Sequence, residues 1–429
     1  MFPLSLNIPI QKLSHRIYIP LSATSRQPTV FNYSTDCNEC ICHGINSIST
    51  KIFAVNCMTS IRVCLIYSDS SANYSIQWNS TSDLYFFNLS TSVTTETPSF
   101  SVGWNRSGVT VAGVTGSSGL AGNLFNHPFC LALDSSNTIY VTDQPNQRVQ
   151  QWVSNASTGI TVAGQANGTM GSSLAYLCYP SDLVSDSDGN LYIADAGNHR
   201  VVLWLKNAST GIVVAGTGEF PYCKLIYDVF SALLGVVGST NNQLANPFGV
   251  ELDRSTNTLY VADTDNHRVM KYLSNSSSGI LVAGGNGPGT GSTQLNNPRG
   301  LYFDSSTNSL FIANNYAHNI VRWVLGDSSW TLIAGSSAGV FGTTSMLLYY
   351  PTDVTFDSLG NMYVSDEGNH RVQFYLSGQS NGTTIIGTTS VSGSTPELLN
   401  TPSSLAVDNE FNVYVVDYNN YRVQEFFHY

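Results

Sequence analysis

LYIADAGNHRVVLW, residues 191–204, sets Asp195, His199 and Arg200 within six positions. An acid, an imidazole and a guanidinium so close together suggest a catalytic site. The rest of the chain argues otherwise, because the stretch recurs. IYVTDQPNQRVQQW (139–152), LYVADTDNHRVMKY (259–272), LFIANNYAHNIVRW (310–323), MYVSDEGNHRVQFY (362–375) and VYVVDYNNYRVQEF (413–426) complete a set of six copies. The Arg position falls at Arg148, Arg200, Arg268, Asn319, Arg371 and Arg422, in steps of 52, 68, 51, 52 and 51 residues. The long step carries an insertion near residues 219–240. A near-constant period of this size marks a repeat architecture, and active sites are rarely written six times.

Outward from each copy the pattern extends in both directions. A Pro and a hydrophobic run ending in Asp come before it, as in NPFGVELD (246–253), and an apolar run such as GIVVAG (211–216) follows most copies. That makes four short strands per unit. A unit of this kind cannot bury both faces of its sheet alone, whereas radial stacking of neighbours does. The fold class predicted is all-β, a six-bladed β-propeller of four-stranded blades over residues 105–429. The last copy lacks a fourth strand and GVTVAG (108–113) precedes the first copy, so a 3+1 closure is expected there.

The units resemble NHL repeats in the order P…D…YVAD…NHRV, with Gln147 and Tyr421 replacing His in the first and last copies. The resemblance implies the propeller fold and its closure. It does not fix a function, since such propellers occur in ubiquitin ligases, RNA regulators, secreted receptors, sensor domains and, in a related form, peptide-amidating lyases.

Asp195 ends one strand and Arg200 begins the next, so the pair is read as structural, with the carboxylate taking backbone N–H groups of the intervening turn. The same reading covers Asp143 with Arg148, Asp263 with Arg268, Asp366 with Arg371, and Asp417 with Arg422. In the fourth copy both members are lost together, to Asn314 and Asn319, as mutual partners would be. An aromatic four residues after each Arg position (Trp152, Trp204, Tyr272, Trp323, Tyr375, Phe426) is expected to pack between blades.

Composition supports a turn-rich β protein: 10% of residues are charged, with 36 Gly and 23 Tyr. A formal net charge of −11 and the lack of any basic run argue against nucleic acid as partner. No apolar run is long enough for a membrane span. Residues 1–29 match a secretory signal poorly, being broken by Lys12, His15 and Arg16. Residues 30–100 hold Cys37, Cys40, Cys42, Cys57 and Cys64, a density that suggests a small disulfide-tied β module. A zinc knuckle is disfavoured for want of a second close pair.

Catalytic readings find little to rest on. Equivalent His residues in neighbouring blades stand too far apart to share a zinc. The amidating lyases hold zinc through His after the repeat's Pro. The corresponding stretches here, HPFC, YPSD, NPFG, NPRG, YPTD and TPSS, have none. The Asp residues closing the first strands (Asp134, Asp186, Asp253, Asp304, Asp357, Asp408) are read as turn caps rather than calcium ligands. No catalytic residue, metal or cofactor is therefore assigned, and the N-terminal Cys set does not make a RING.

The expected function is a non-catalytic, secreted or cell-surface propeller that binds a protein or peptide. The alternatives are an intracellular adaptor or substrate receptor for ubiquitin ligation and, behind it, a lyase-like metalloenzyme. Sequons at Asn105, Asn155, Asn207, Asn275 and Asn381 all fall between third and fourth strands, so glycans would cover one face. The other face would carry the Asp/Arg turns and the inserted loop, with Phe220, Tyr222, Tyr227 and Phe230 as candidate contacts. That insertion could equally fold back as a short helix over the ring. A disulfide between Cys178 and Cys223 would pin it.

Overall fold

The structure is a computed structural model describing residues 103–217 and 238–429, with the backbone of six strands between residues 16 and 88. The chain divides into two compact units, Met1–Phe100 and Ser101–Tyr429. In the first unit, Arg16–Ile19 pairs with Thr29–Asn32, while Ile52–Met58, Val63–Ser68, Asn73–Trp78 and Leu84–Asn88 form an antiparallel meander. Cys57 stands opposite Cys64 in its register. Cys37, Cys40, Cys42 and the cysteine side chains of this unit lie outside the described residues, and so does the expectation of disulfides there.

The second unit is a six-bladed β-propeller. Each blade is a four-stranded antiparallel meander, such as Pro180–Ser185, Leu191–Asp195, Arg200–Trp204 and Ile212–Ala215 of blade 2. The first strands of the other blades are Pro128–Leu133, Pro247–Asp253, Pro298–Asp304, Pro351–Phe356 and Pro402–Val407. The fourth strand of blade 6 is Val109–Gly113, which pairs antiparallel with Arg422–Phe426.

The core follows from the two-residue period of the strands. The second strand, Leu191–Asp195, is buried along nearly its whole length, whereas the outer strand exposes Ile212 and Val213. Buried side chains gather in six clusters, each drawn mainly from two neighbouring blades. One holds Tyr140, Val149 and Ala163 of blade 1 with Leu183, Ile193 and Trp204 of blade 2. Another joins Val416 and Val423 of blade 6 to Leu131 and Val141 of blade 1. The aromatic after each Arg position, Trp152, Trp204, Tyr272, Trp323, Tyr375 and Phe426, is buried and belongs to a different cluster in each case.

The turn between second and third strands is a single 3-10 turn closed by a left-handed residue: Gln147, His199, His267, His318, His370 or Tyr421, with φ from 53° to 57°. Gly216 shows why the apolar run ends in glycine. Its φ is +74° and a Cβ there would press on the carbonyl oxygen of His199.

Candidate binding face

The opening triplet resolves into two separate ties. Asp195 Oδ2 accepts from Arg200 Nε at 2.7 Å and from Asn198 Nδ2 at 2.7 Å, with Asp195 fully buried. Its other oxygen takes the backbone N–H of Cys178, 17 residues upstream, at 2.6 Å. The N–H groups come from the loop entering the blade, and the intervening turn donates no backbone bond to this side chain. This corrects the expectation from sequence, and the reason is geometric. The 3-10 turn satisfies its own closing N–H on Ala196, leaving the carboxylate free to bind the loop. Arg200 completes the tie by donating to the carbonyls of Ser172, Ser173 and Tyr176 in that loop.

Asp143 with Arg148, Asp263 with Arg268, Asp366 with Arg371, and Asp417 with Arg422 repeat the contact at 2.6 to 2.8 Å. Burial raises every one of these carboxyls, Asp195 to about 6, with the Arg opposing the shift. In blade 4, Asn314 Oδ1 still takes the loop N–H, from Asn296 at 2.6 Å. Trp330 stands where other blades have glycine, and its Nε1 donates to Gln294 O at 2.8 Å. The equivalent carbonyl in blade 3, of Gln243, accepts from Arg268.

His199 belongs to the second tie. Its Nδ1 accepts the backbone N–H of Asn246, the residue before Pro247 of the next blade, at 3.0 Å. His267, His318 and His370 accept from Asn297, Tyr350 and Thr401 at 3.1 to 3.2 Å. Gln147 does the same with its amide oxygen, to Tyr179 at 2.6 Å. The histidines are therefore neutral acceptors between blades, and burial lowers their pKa.

The six stretches after each Pro line the central channel. At its constriction, Cys130 Sγ donates to Asp182 Oδ1 at 2.5 Å and Ser404 Oγ donates to Asp353 Oδ2 at 2.8 Å. Gly249 and Gly300 occupy the equivalent places in blades 3 and 4. Burial raises Asp182 to about 7, Asp353 to about 6 and neighbouring Glu251 to about 8, and pushes the Cys130 thiol well up. Such groups can share protons. Cys130, Asp182 and Asp353 line a cavity of about 10 Å³, on the order of one water molecule. Phe129 and Phe248, which meet edge-on, also line it, and the Arg299 guanidinium lies 4.6 Å from the Phe248 ring. Among the described residues no group of three or more His, Cys, Asp or Glu is placed to hold a metal.

The end of the propeller bearing these ties also carries an aromatic patch that sequence reasoning missed. Phe341 stacks on Tyr349 at 4.7 Å, Tyr349 packs on Tyr350 at 4.6 Å, and Tyr316 joins Tyr350 at 5.6 Å around His318. Phe341 is 57% exposed and Tyr316 49%. Only a doubled Tyr after an apolar loop signals the patch in the sequence. Phe220, Tyr222, Tyr227 and Phe230 lie outside the described residues. Cys178 is disulfide-bonded, and Cys223, its expected partner, also lies outside them. Cys130 is a free, buried thiol. Asn105, Asn155, Asn207, Asn275 and Asn381 are all exposed, at the opposite end of the blades.

A family model described as NHL repeat matches residues 125–152, 177–202 and 348–375. A search of curated proteins finds no match. Among solved structures, a protein of unknown function from Bacteroides thetaiotaomicron is 13% identical with a TM-score of 0.56, over 90% of this chain and 99% of its own. Auxiliary nutrient binding proteins from Bacteroides thetaiotaomicron and Bacteroides ovatus are 13% and 11% identical, with TM-scores of 0.55 and 0.54. Each alignment covers 85% of this chain and 86% of the other. These likenesses concern the fold.

Proposed function

We propose that this chain, a six-bladed β-propeller with NHL-repeat matches at three positions, is a non-catalytic binding module that holds a protein or peptide on the face of its interblade loops. The observation that carries the reading is the aromatic patch on that face, with Tyr316 and Phe341 exposed and Tyr349 and Tyr350 half-buried beneath them. Aromatic side chains of this kind dominate the cores of protein interfaces, since they bring large area at small entropy cost. The charge pattern points the same way. The turns between second and third strands read QPN, AGN, TDN, NYA, EGN and YNN, with Asp265 and Glu367 their only charges. At the opposite end every turn between first and second strands begins with Asp. Charged residues are depleted at interface cores, which favours the loop face.

The exposed asparagines at the opposite end are in keeping with a glycosylated, secreted or cell-surface protein. The disulfide at Cys178 is in keeping with an oxidising compartment.

The test is capture of polypeptides from conditioned medium on immobilised protein. Wild type is compared with a Tyr316→Asp/Phe341→Asp variant of the loop face and with Ile160→Asp/Ile280→Asp at the outer edge. The reading expects one polypeptide captured by wild type and by the edge variant and lost at least about tenfold by the face variant, a difference of about 1.4 kcal/mol. Equal capture by all three would sink it.

A further inference from the structure

The four histidines repeat one arrangement that does more than fill a turn. Each Nδ1 accepts a backbone N–H from the next blade, so each ring must carry its proton on Nε2. A second proton can only enter at Nδ1, where it would face that N–H. The acceptor becomes a donor, and two donors are left opposed. Both residues of every such contact are also held in the left-handed region, the histidines at φ 53° to 57° and the donors at 49° to 55°. Such conformations persist when the surroundings over-determine them, and here the hydrogen bond is one of the constraints.

We propose that His199, His267, His318 and His370 form an acid-sensitive latch: protonation releases the loops before Pro247, Pro298, Pro351 and Pro402, and so remodels the loop face. Release of a bound polypeptide by acid rests on the reading of that face as the binding site. The junction between blades 1 and 2 is built differently, because Gln147 supplies an oxygen that does not titrate. The molecule thus carries its own control.

The surroundings favour a switch in mildly acid conditions. Burial alone acts on His199, His318 and His370, each lowered from 6.5. His267 is also lowered, and Asp265 partly opposes the shift; Arg299 in turn acts on Asp265. The rings of Phe341, Tyr349 and Tyr350 face His318. A depressed pKa in the latched state means that the unlatched state takes up protons first as pH falls below about 6.5, so acid opens the latch.

The experiment is amide hydrogen exchange on the free full-length protein at about pH 7.5 and about pH 5, corrected for intrinsic rates. Asn246, Asn297, Tyr350 and Thr401 are expected to lose protection relative to Tyr179, about tenfold for each pH unit between the free imidazole value of about 6.5 and the lower value of the latched ring. Equal protection at all five amides, or equal loss at Tyr179, overturns the latch. In His370→Gln, which copies the Gln147 arrangement, Thr401 is expected to keep its protection in acid while the other three lose theirs. Loss at Thr401 in that variant also overturns the proposal. No ligand is needed, so failure here is distinct from failure of the binding reading. A captured polypeptide that stays on wild type at about pH 5 overturns the acid-release step alone.

Discussion

In blade 2 a buried carboxylate and guanidinium hold the loop that enters the blade, Asp195 to Arg200 at 2.7 Å. In blade 4 the same places hold Asn314 and Asn319, and the indole of Trp330 reaches a carbonyl of the equivalent loop instead. Blade 2 has Gly211 where blade 4 has Trp330, and Asp182 at the channel where blade 4 has Gly300. Both keep the histidine that binds the next blade, His199 and His318. The difference teaches that the loop must be held but that charge is not required to hold it. A buried ion pair is one of two solutions, as expected where desolvation offsets much of its Coulomb gain.

The largest effect that follows is at blade 2. Arg200→Ala leaves Asp195 buried without its counter-ion and is expected to cost about 4 kcal/mol, read from urea unfolding. Asn319→Ala, at the same place in blade 4, removes only a neutral amide that donates to Ser336 O, and is expected to cost about 1 kcal/mol. Equal costs would erase the distinction between the two blades.

Trp330→Gly converts blade 4 to the sequence of its neighbours at that position. It is expected to cost about 3 kcal/mol from lost burial and the lost bond to Gln294. Restoring the pair with Asn314→Asp/Asn319→Arg should recover stability in the Trp330→Gly background. In wild type, where the indole already holds the loop, the pair should add less than about 0.5 kcal/mol. A similar gain in both backgrounds would show that Trp330 does not stand in for the pair.

The channel sharpens the comparison through pH. Asp182 is raised to about 7 in the folded protein against 3.8 for the free side chain. The folded state therefore holds the proton longer, so this contribution is present below about pH 4 and is lost as pH rises toward 7. Asp182→Asn should abolish that slope and stabilise the protein at neutral pH by about 2 kcal/mol, a figure discounted for water in the channel. An unchanged pH profile would contradict the placement of Asp182.

The repeat made most of this legible. Six copies of one pattern specify strands and turns and, in five of them, the facing of Asp on Arg, because identical local chemistry must satisfy identical geometry. The partners at long range were not legible. Nothing local in LYIADAGNHRVVLW says that Asp195 takes the N–H of Cys178, or that His199 takes that of Asn246. The channel positions Cys130, Asp182, Gly249, Gly300, Asp353 and Ser404 were hidden because their residue types vary from blade to blade. The aromatic patch joins residues of one loop to Tyr316 of one turn in blade 4, and Trp330 comes from one substitution, so a search for what repeats passes over both.

The central claim is that the opening triplet is a scaffold whose members serve each other, and a double-mutant cycle on Asp195 and Arg200 tests it most directly. Urea unfolding of wild type, Asp195→Ala, Arg200→Ala and the double variant gives the coupling energy. The account predicts a double variant costing less than the sum of the singles by about 2 kcal/mol, with polypeptide capture on the loop face retained. Additive costs, or an Arg200→Ala protein of unchanged stability that loses capture, would contradict it.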